Sequence, residues 1–316
     1  MAYKSNFYQV VNASPYAAQG SMMTNTNVAI QHRNNEKMLQ LVRRLTLSPK
    51  ERAEALHILS VQREQIPDLA PYLWYSPATI TALLSEIISI YPYLATNNLN
   101  IPLSNRVCNV LALFQCVAGH DETRTPFVRA NIPIYLFPFL HQTSQSREAE
   151  YFKLTSLGII GSLVKTEQPE IIEYLLKADF VPLCLRILKF SQEISRTVAA
   201  FIIQKILSDS GGKNYICSTR EHIETVLKVL NRVVCDLTRD FSSRLAKHVI
   251  GSYQILFEIK EVRKLIASLL PAELKDAKFS PNTDEQFKNL VTTLQNMTTS
   301  AKAGAQPIVF SINKKD

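Results

Sequence analysis

The chain has 316 residues, with 35 Lys and Arg against 27 Asp and Glu, a formal net charge of +8, and 46% apolar residues. Such a chain can bury a large core without disulfide or metal staples. With only 8 Gly, a barrel, a propeller or a glycine-loop nucleotide fold is disfavoured, leaving a mostly helical globule. The longest unbroken apolar run, Ile132 to Leu140, contains Pro133 and Pro138, whereas a membrane span needs about 20 apolar residues. The first twenty residues lack the charged start and apolar stretch of a secretory signal. Cys108, Cys116, Cys184, Cys217 and Cys235 are odd in number and set mostly among aliphatics. They fit reduced core cysteines of a cytosolic or nuclear protein.

In chain order, residues 1–33 carry Lys4 and Arg33 and no acid. Their Asn, Ser and Ala follow no helical period, so they are expected to be a disordered tail of charge +2. A short amphipathic helix is predicted over 36–47. A second starts at Ser48-Pro49-Lys50-Glu51, with Ser as N-cap, Pro in the first turn and Glu completing a capping box. Another helix is predicted from Ala78 to Tyr91, after the turn that holds Pro67, Pro71 and Pro77. Four long apolar helices follow, over 104–118, 151–164, 194–207 and 242–256, each trailed by a polar turn and a shorter amphipathic helix. Residues 299–316 read as a second tail of +2, which leaves +4 on a body spanning 34–298.

The long helices recur. Leu111 and Leu157 stand 46 apart, and Leu157 and Phe201 stand 44 apart. Repeats of about 40–47 residues built from helices alone are of armadillo type. Helices apolar nearly all round, such as the one holding Val110 to Phe114, must be buried between neighbours on both sides. The predicted fold is therefore an all-α solenoid of about six armadillo-like repeats, a right-handed superhelix of stacked helices.

Catalytic chemistry finds little support. Gly211-Gly212-Lys213 lacks the earlier Gly and following Ser or Thr of a phosphate loop, and reads as a helix C-cap turn. Cys116 and His120 share a helical spacing, but Cys116 sits in an apolar core helix, away from the electropositive setting a nucleophile needs. The six histidines form no metal-binding spacing. Glu148 and Glu150, like Asp121 and Glu122, read as solvated charges at helix starts. No enzyme, metal or cofactor is implied.

Binding surfaces are better supported. Arg106, Lys153, Arg196 and Arg244 lie near the starts of the long helices, and Lys205, Lys247 and His248 follow. Facing one groove, they would suit a nucleic-acid backbone or an acidic peptide. The alternative is that they cap helix edges or pair with acids such as Glu193 and Asp240. The segment from Pro67 to Pro77 holds the only Trp, Trp74, read as a core plug whose neighbours can present an apolar patch to a partner helix.

Six stretches carry a family resemblance: Ile66-Pro67-Asp68-Leu69-Ala70-Pro71 with Trp74; SNRVCN (104–109); IPIYLFPFLH (132–141); EYFKLTSLGIIGSLVKT (150–166); VPLCLRIL (181–188); and SRTVAAFIIQKILSD (195–209). Over about 36–275 the chain closely resembles the Rcd family ("required for cell differentiation"), the armadillo-repeat subunit of the CCR–NOT deadenylase complex. The resemblance implies a non-catalytic adaptor that docks on the large Not scaffold. It would recruit regulators through short linear motifs, for messenger RNA deadenylation, translational repression and decay. Cytoplasmic (including P-body) and nuclear residence is implied as well.

By the same resemblance, the scaffold contact falls on Tyr75, Pro77, Thr81 and Ile88. A concave peptide groove falls on Val198, Phe201 and Lys205. RNA or single-stranded DNA would meet Arg106, Lys153, Arg244, Lys247 and His248, and formation of a homodimer is left open. Animal members capture tryptophans with a Tyr and an Arg where this chain has Arg220 and Glu261. An Arg and a Glu are expected to pair with each other, so that pocket is predicted to be lost.

Overall fold

The computed structural model describes residues 25–96, 99, 101–144, 146–237, 239–269, 292, 295 and 296. Every regular element among them is helical, and the chain divides into two compact units, 1–163 and 164–316. Each of the four long apolar segments forms a helix. The expected tail 299–316 and residues 1–24 lie outside the described residues.

The first unit begins with α1, Asn25–Arg44. Helix therefore covers 25–33, which sequence assigned to a tail; Asn-rich helix starts have no apolar period to announce them. Next comes α2, Pro49–Gln62, where the Ser48 hydroxyl accepts from Glu51 N. The expected reciprocal bond takes another form: the Glu51 carboxylate accepts from the Ser48 hydroxyl at 2.7 Å. Helices α3, Leu69–Tyr75, and α4, Thr79–Ser89, meet at an angle of 89°. Ala78 makes the corner in the left-handed region, at φ 60°.

Then follow α5 (Tyr91–Thr96), α6 (Ile101–Gly119), α7 (Asp121–Arg129), a 3-10 turn at Ile132–Leu136, α8 (Phe137–Leu140) and α9 (Arg147–Val164). Helix α6 corrects the expectation that no stretch is long and apolar enough to span a membrane, for it meets that test by length and hydropathy. Its apolar side chains, however, are consumed by packing. Val107, Val110, Leu111, Leu113, Phe114 and Val117 are wholly buried, with α2, α3, α4 and α7 around them. This is a core helix.

The second unit comprises α10 (Pro169–Lys177), α11 (Phe180–Phe190), α12 (Glu193–Ser208), α13 (Ser210–Cys217), α14 (Arg220–Leu237), α15 (Ser243–Glu258), a 3-10 turn at Lys260–Val262 and α16 (Arg263–Leu269). Its closest pair is α12 against α15. Gly211 and Gly212 correct a second expectation. They open α13 instead of closing α12, and among the described residues no glycine has positive φ. Asp209 is the N-cap, accepting from Gly212 N at 3.1 Å. Glycine is needed at 212 for room, because a Cβ there would lie 1.9 Å from the Ile206 carbonyl oxygen.

Candidate functional site

In the first unit, the right-angle corner at Ala78 leaves one face of α3 and α4 open. Leu83, Ile87 and Ile90 point inward and are wholly buried. Thr81, Ser85 and Ile88, spaced four and three residues apart, point outward. Such spacing puts them on one helical stripe. Tyr75 and Pro77 extend that stripe around the corner; Tyr75 is 59% exposed and Ile88 45% exposed. The Tyr75 hydroxyl is raised in pKa by desolvation and by its hydrogen bond to Glu122, which ties the ring to α7. All four residues assigned to scaffold contact are exposed, on α3, at the corner and on α4. Trp74 is half-buried against Phe127, ring centroids 6.3 Å apart. It packs at the edge of the core rather than plugging it.

The cations proposed for nucleic acid separate into different environments. Lys153 is 4% exposed and paired with Glu150 at 2.5 Å on α9, so burial withdraws it from any open groove. Arg106 approaches the buried carboxylate of Glu86 at 3.3 Å, and Glu86 also binds Arg52 at 3.0 Å. In the second unit Arg196 pairs with Asp236 at 2.7 Å and Lys205 with Glu167 at 2.5 Å. For Arg106, Lys153, Arg196 and Lys205 pairing therefore occurs, with Glu86, Glu150, Asp236 and Glu167. Arg244 and Lys247 are exposed on the first turns of α15.

His248 does not act as a cation at neutral pH. Burial first, then the charges of Lys247 and Lys205, depress its pKa to about 4. The ring stands edge-on to Phe201 at 5.5 Å, and its Nδ1 meets Gln204 Oε1 at 2.8 Å. Val198 is buried, whereas Phe201 and Lys205 are part-exposed one turn apart, with the ammonium 5.9 Å from the ring. Phe201, Lys205, Gln204 and His248 form a compact cluster where α12 and α15 approach, made close by Gly251. Sequence pointed to Phe201, Lys205 and His248; Gln204 carries no signal in the sequence and emerges only from the contact.

At the tryptophan-pocket positions, Arg220 pairs with Glu224 one turn along α14, at 2.7 Å. The expected partner, Glu261, has its side chain outside the described residues. Tyr215 instead stacks on His222, centroids 5.2 Å apart. None of the five cysteines is in a disulfide. Desolvation pushes the Cys116 thiol up to about 11 and raises Cys184 as well, the opposite of an activated nucleophile. Among the described residues no three His, Cys, Asp or Glu side chains gather as a metal site requires.

Comparison with known proteins gives the same direction. The Rcd1-like cell differentiation family matches residues 41–299. The cell differentiation protein rcd1 of Schizosaccharomyces pombe is 49% identical over 245 residues, covering 78% of this chain and 85% of the relative. Protein CAF40 of Saccharomyces cerevisiae is 47% identical over 259 residues, covering 82% and 69%. Among solved structures, a designed armadillo repeat protein aligns with TM-score 0.59 at 16% identity, covering 83% of this chain and 99% of that one. Another, solved in complex with the peptide (KR)4, aligns with TM-score 0.57 over 84% and 98% at 16% identity. These likenesses establish an all-α armadillo-type fold.

Proposed function

Because the chain belongs to the Rcd1-like cell differentiation family, we propose that it is a non-catalytic adaptor subunit of the CCR–NOT complex. In this reading it docks on the large Not scaffold and recruits regulators of messenger RNA through short linear motifs. Deadenylation, translational repression and decay follow from the catalytic subunits it brings near. Residence in the cytoplasm, including P-bodies, and in the nucleus accompanies that role.

The observation that carries the proposal is the exposure of Tyr75, Pro77, Thr81 and Ile88 along α3, the corner and α4. Exposed large apolar side chains such as Tyr75 and Ile88 offer a partner helix surface to pack on. Affinity purification of wild type and Thr81→Tyr tests it. The bulky ring is expected to displace the scaffold while the protein stays folded; retention of the scaffold by the variant would refute the docking face.

Direct binding of RNA or single-stranded DNA is a second reading, favoured by the exposure of Arg244 and Lys247 on the first turns of α15. It is weakened by the burial of Lys153 and the neutrality of His248. Charge reversal at Arg244 and Lys247 is expected to abolish RNA binding on this reading and to leave scaffold binding intact. Tryptophan capture is not expected at Arg220. A peptide titration showing tight, tryptophan-dependent binding there would overturn that statement.

A further inference from the structure

A hollow of about 280 Å3 opens in the first unit beside the far end of the docking strip, lined by Ser89, Tyr93, Pro102, Leu103 and Arg106. Its walls are mainly apolar: the Tyr93 ring, the Pro102 ring and Leu103. Ile88 and Ile101, both exposed, stand at neighbouring chain positions. One ionic group lines the hollow, the Arg106 guanidinium, which is about one-third exposed.

The charge balance behind that guanidinium is uneven. Glu86, on α4, is nearly buried and faces two arginines. Its Oε1 is held by Arg52 Nη1, and Arg52 is otherwise spent on the carbonyls of Leu45 and Leu47. Its Oε2 lies 3.3 Å from Arg106 Nε, too poorly directed to make a hydrogen bond. One carboxylate thus serves two guanidinium ions, and the excess positive charge lies on Arg106, at the open side. In an apolar hollow an unneutralised cation is worth more to an incoming anion than it is in open water.

We propose that this hollow is a docking point for a short acidic motif of a protein partner. An aliphatic or aromatic side chain seats between Tyr93 and Pro102, and a neighbouring Asp or Glu carboxylate pairs with Arg106. The planar fork of Arg106 has its two Nη groups to offer a carboxylate while Nε faces Glu86. Nucleic acid is the poorer occupant. A backbone wants several cations in a row, and the hollow supplies one, while Lys153 of the same unit is buried against Glu150. The proposal does not depend on scaffold docking, since none of the five lining residues belongs to the Tyr75–Ile88 strip.

Phage-displayed random twelve-residue peptides, selected on the full chain with Ser89→Trp protein as soluble competitor, test this, because retained peptides then need the hollow open. Ser89 is exposed, and matched melting curves check that the variant is folded. The retained pool is expected to carry Asp or Glu within four residues of Leu, Ile, Phe or Tyr. Synthetic versions are expected to lose affinity about tenfold when the acid becomes its amide, and about tenfold on Arg106→Gln. Arg106→Lys, which keeps the charge, is expected to retain most of the affinity, and Thr81→Tyr all of it. The proposal fails if the counter-selection leaves no peptides, if those retained lack acids, or if they bind Arg106→Gln undiminished. It fails equally if Ser89→Trp weakens oligouridylate binding while no acidic peptide depends on the hollow.

Discussion

Two glycines in the second unit illustrate how differently a single Cβ can matter. At Gly212 the added atom would meet the Ile206 carbonyl oxygen at 1.9 Å, a backbone group that cannot step aside. At Gly251 it would meet Gln204 Nε2 at 2.2 Å, the end of a flexible side chain. Gly212→Ala is therefore expected to destabilise by about 3 kcal/mol, as severe overpacking does, and Gly251→Ala by about 1 kcal/mol, read from denaturant midpoints. His248 gives a prediction in pH. Its folded pKa of about 4 lies below the ordinary 6.5, so between those values the unfolded chain binds the extra proton. Stability is then full above pH 6.5 and declines as pH falls towards 4. His248→Gln is expected to flatten that part of a melting-temperature profile, and an NMR titration of the ring to show no protonation at pH 6.

At the scale of elements, the Ala78 corner both creates the docking strip and carries strain. Alanine in the left-handed region costs about 1 kcal/mol relative to glycine. Ala78→Gly is thus expected to raise stability by about 1 kcal/mol while leaving the strip in place, a result that thermal melting together with scaffold pull-down would check. The helices themselves were legible because period and caps act locally. Ser48-Pro49 opened α2 where expected, and Val110, Leu111, Leu113 and Phe114 are buried, with Ala112 between them part-exposed. Gly211-Gly212 misled because glycine serves both left-handed turns and close approaches, and the two uses look alike in one dimension. The start of α1 was missed because residues 25–33 have no apolar stripe from which to infer burial.

For the molecule as a whole, the net charge of +8 does not tell which cations are open to a ligand. Of the five cations assigned to nucleic acid, Lys153 is buried and paired, Arg106 shares Glu86, and His248 is neutral. Only Arg244 and Lys247 stand exposed. Two phosphate contacts to a single strand would give a slope of about −1.4 in a plot of log affinity against log salt. Any RNA binding through this set is expected to be no steeper, as measured by fluorescence anisotropy between low and physiological salt. A much steeper slope would reveal cations beyond those named.

Sequence by itself determined the helical class and the armadillo repeat, because these depend on periodicity and spacing along the chain, and the family, because that rests on long motifs. It also brought Tyr75, Pro77, Thr81 and Ile88 into consideration, through a motif together with helical spacing. Tertiary structure decided which polar groups are spent on one another. Glu86 meets Arg52 and Arg106 across 34 and 20 residues, Asp236 meets Arg196 across 40, and Gln204 meets His248 across 44. Pairing of that kind is set by which helices touch and how closely, so the same count of cations can form a groove or vanish into ion pairs. The charge total was fixed by the chain; which cations are buried and which exposed, Lys153 against Lys247, was fixed by packing.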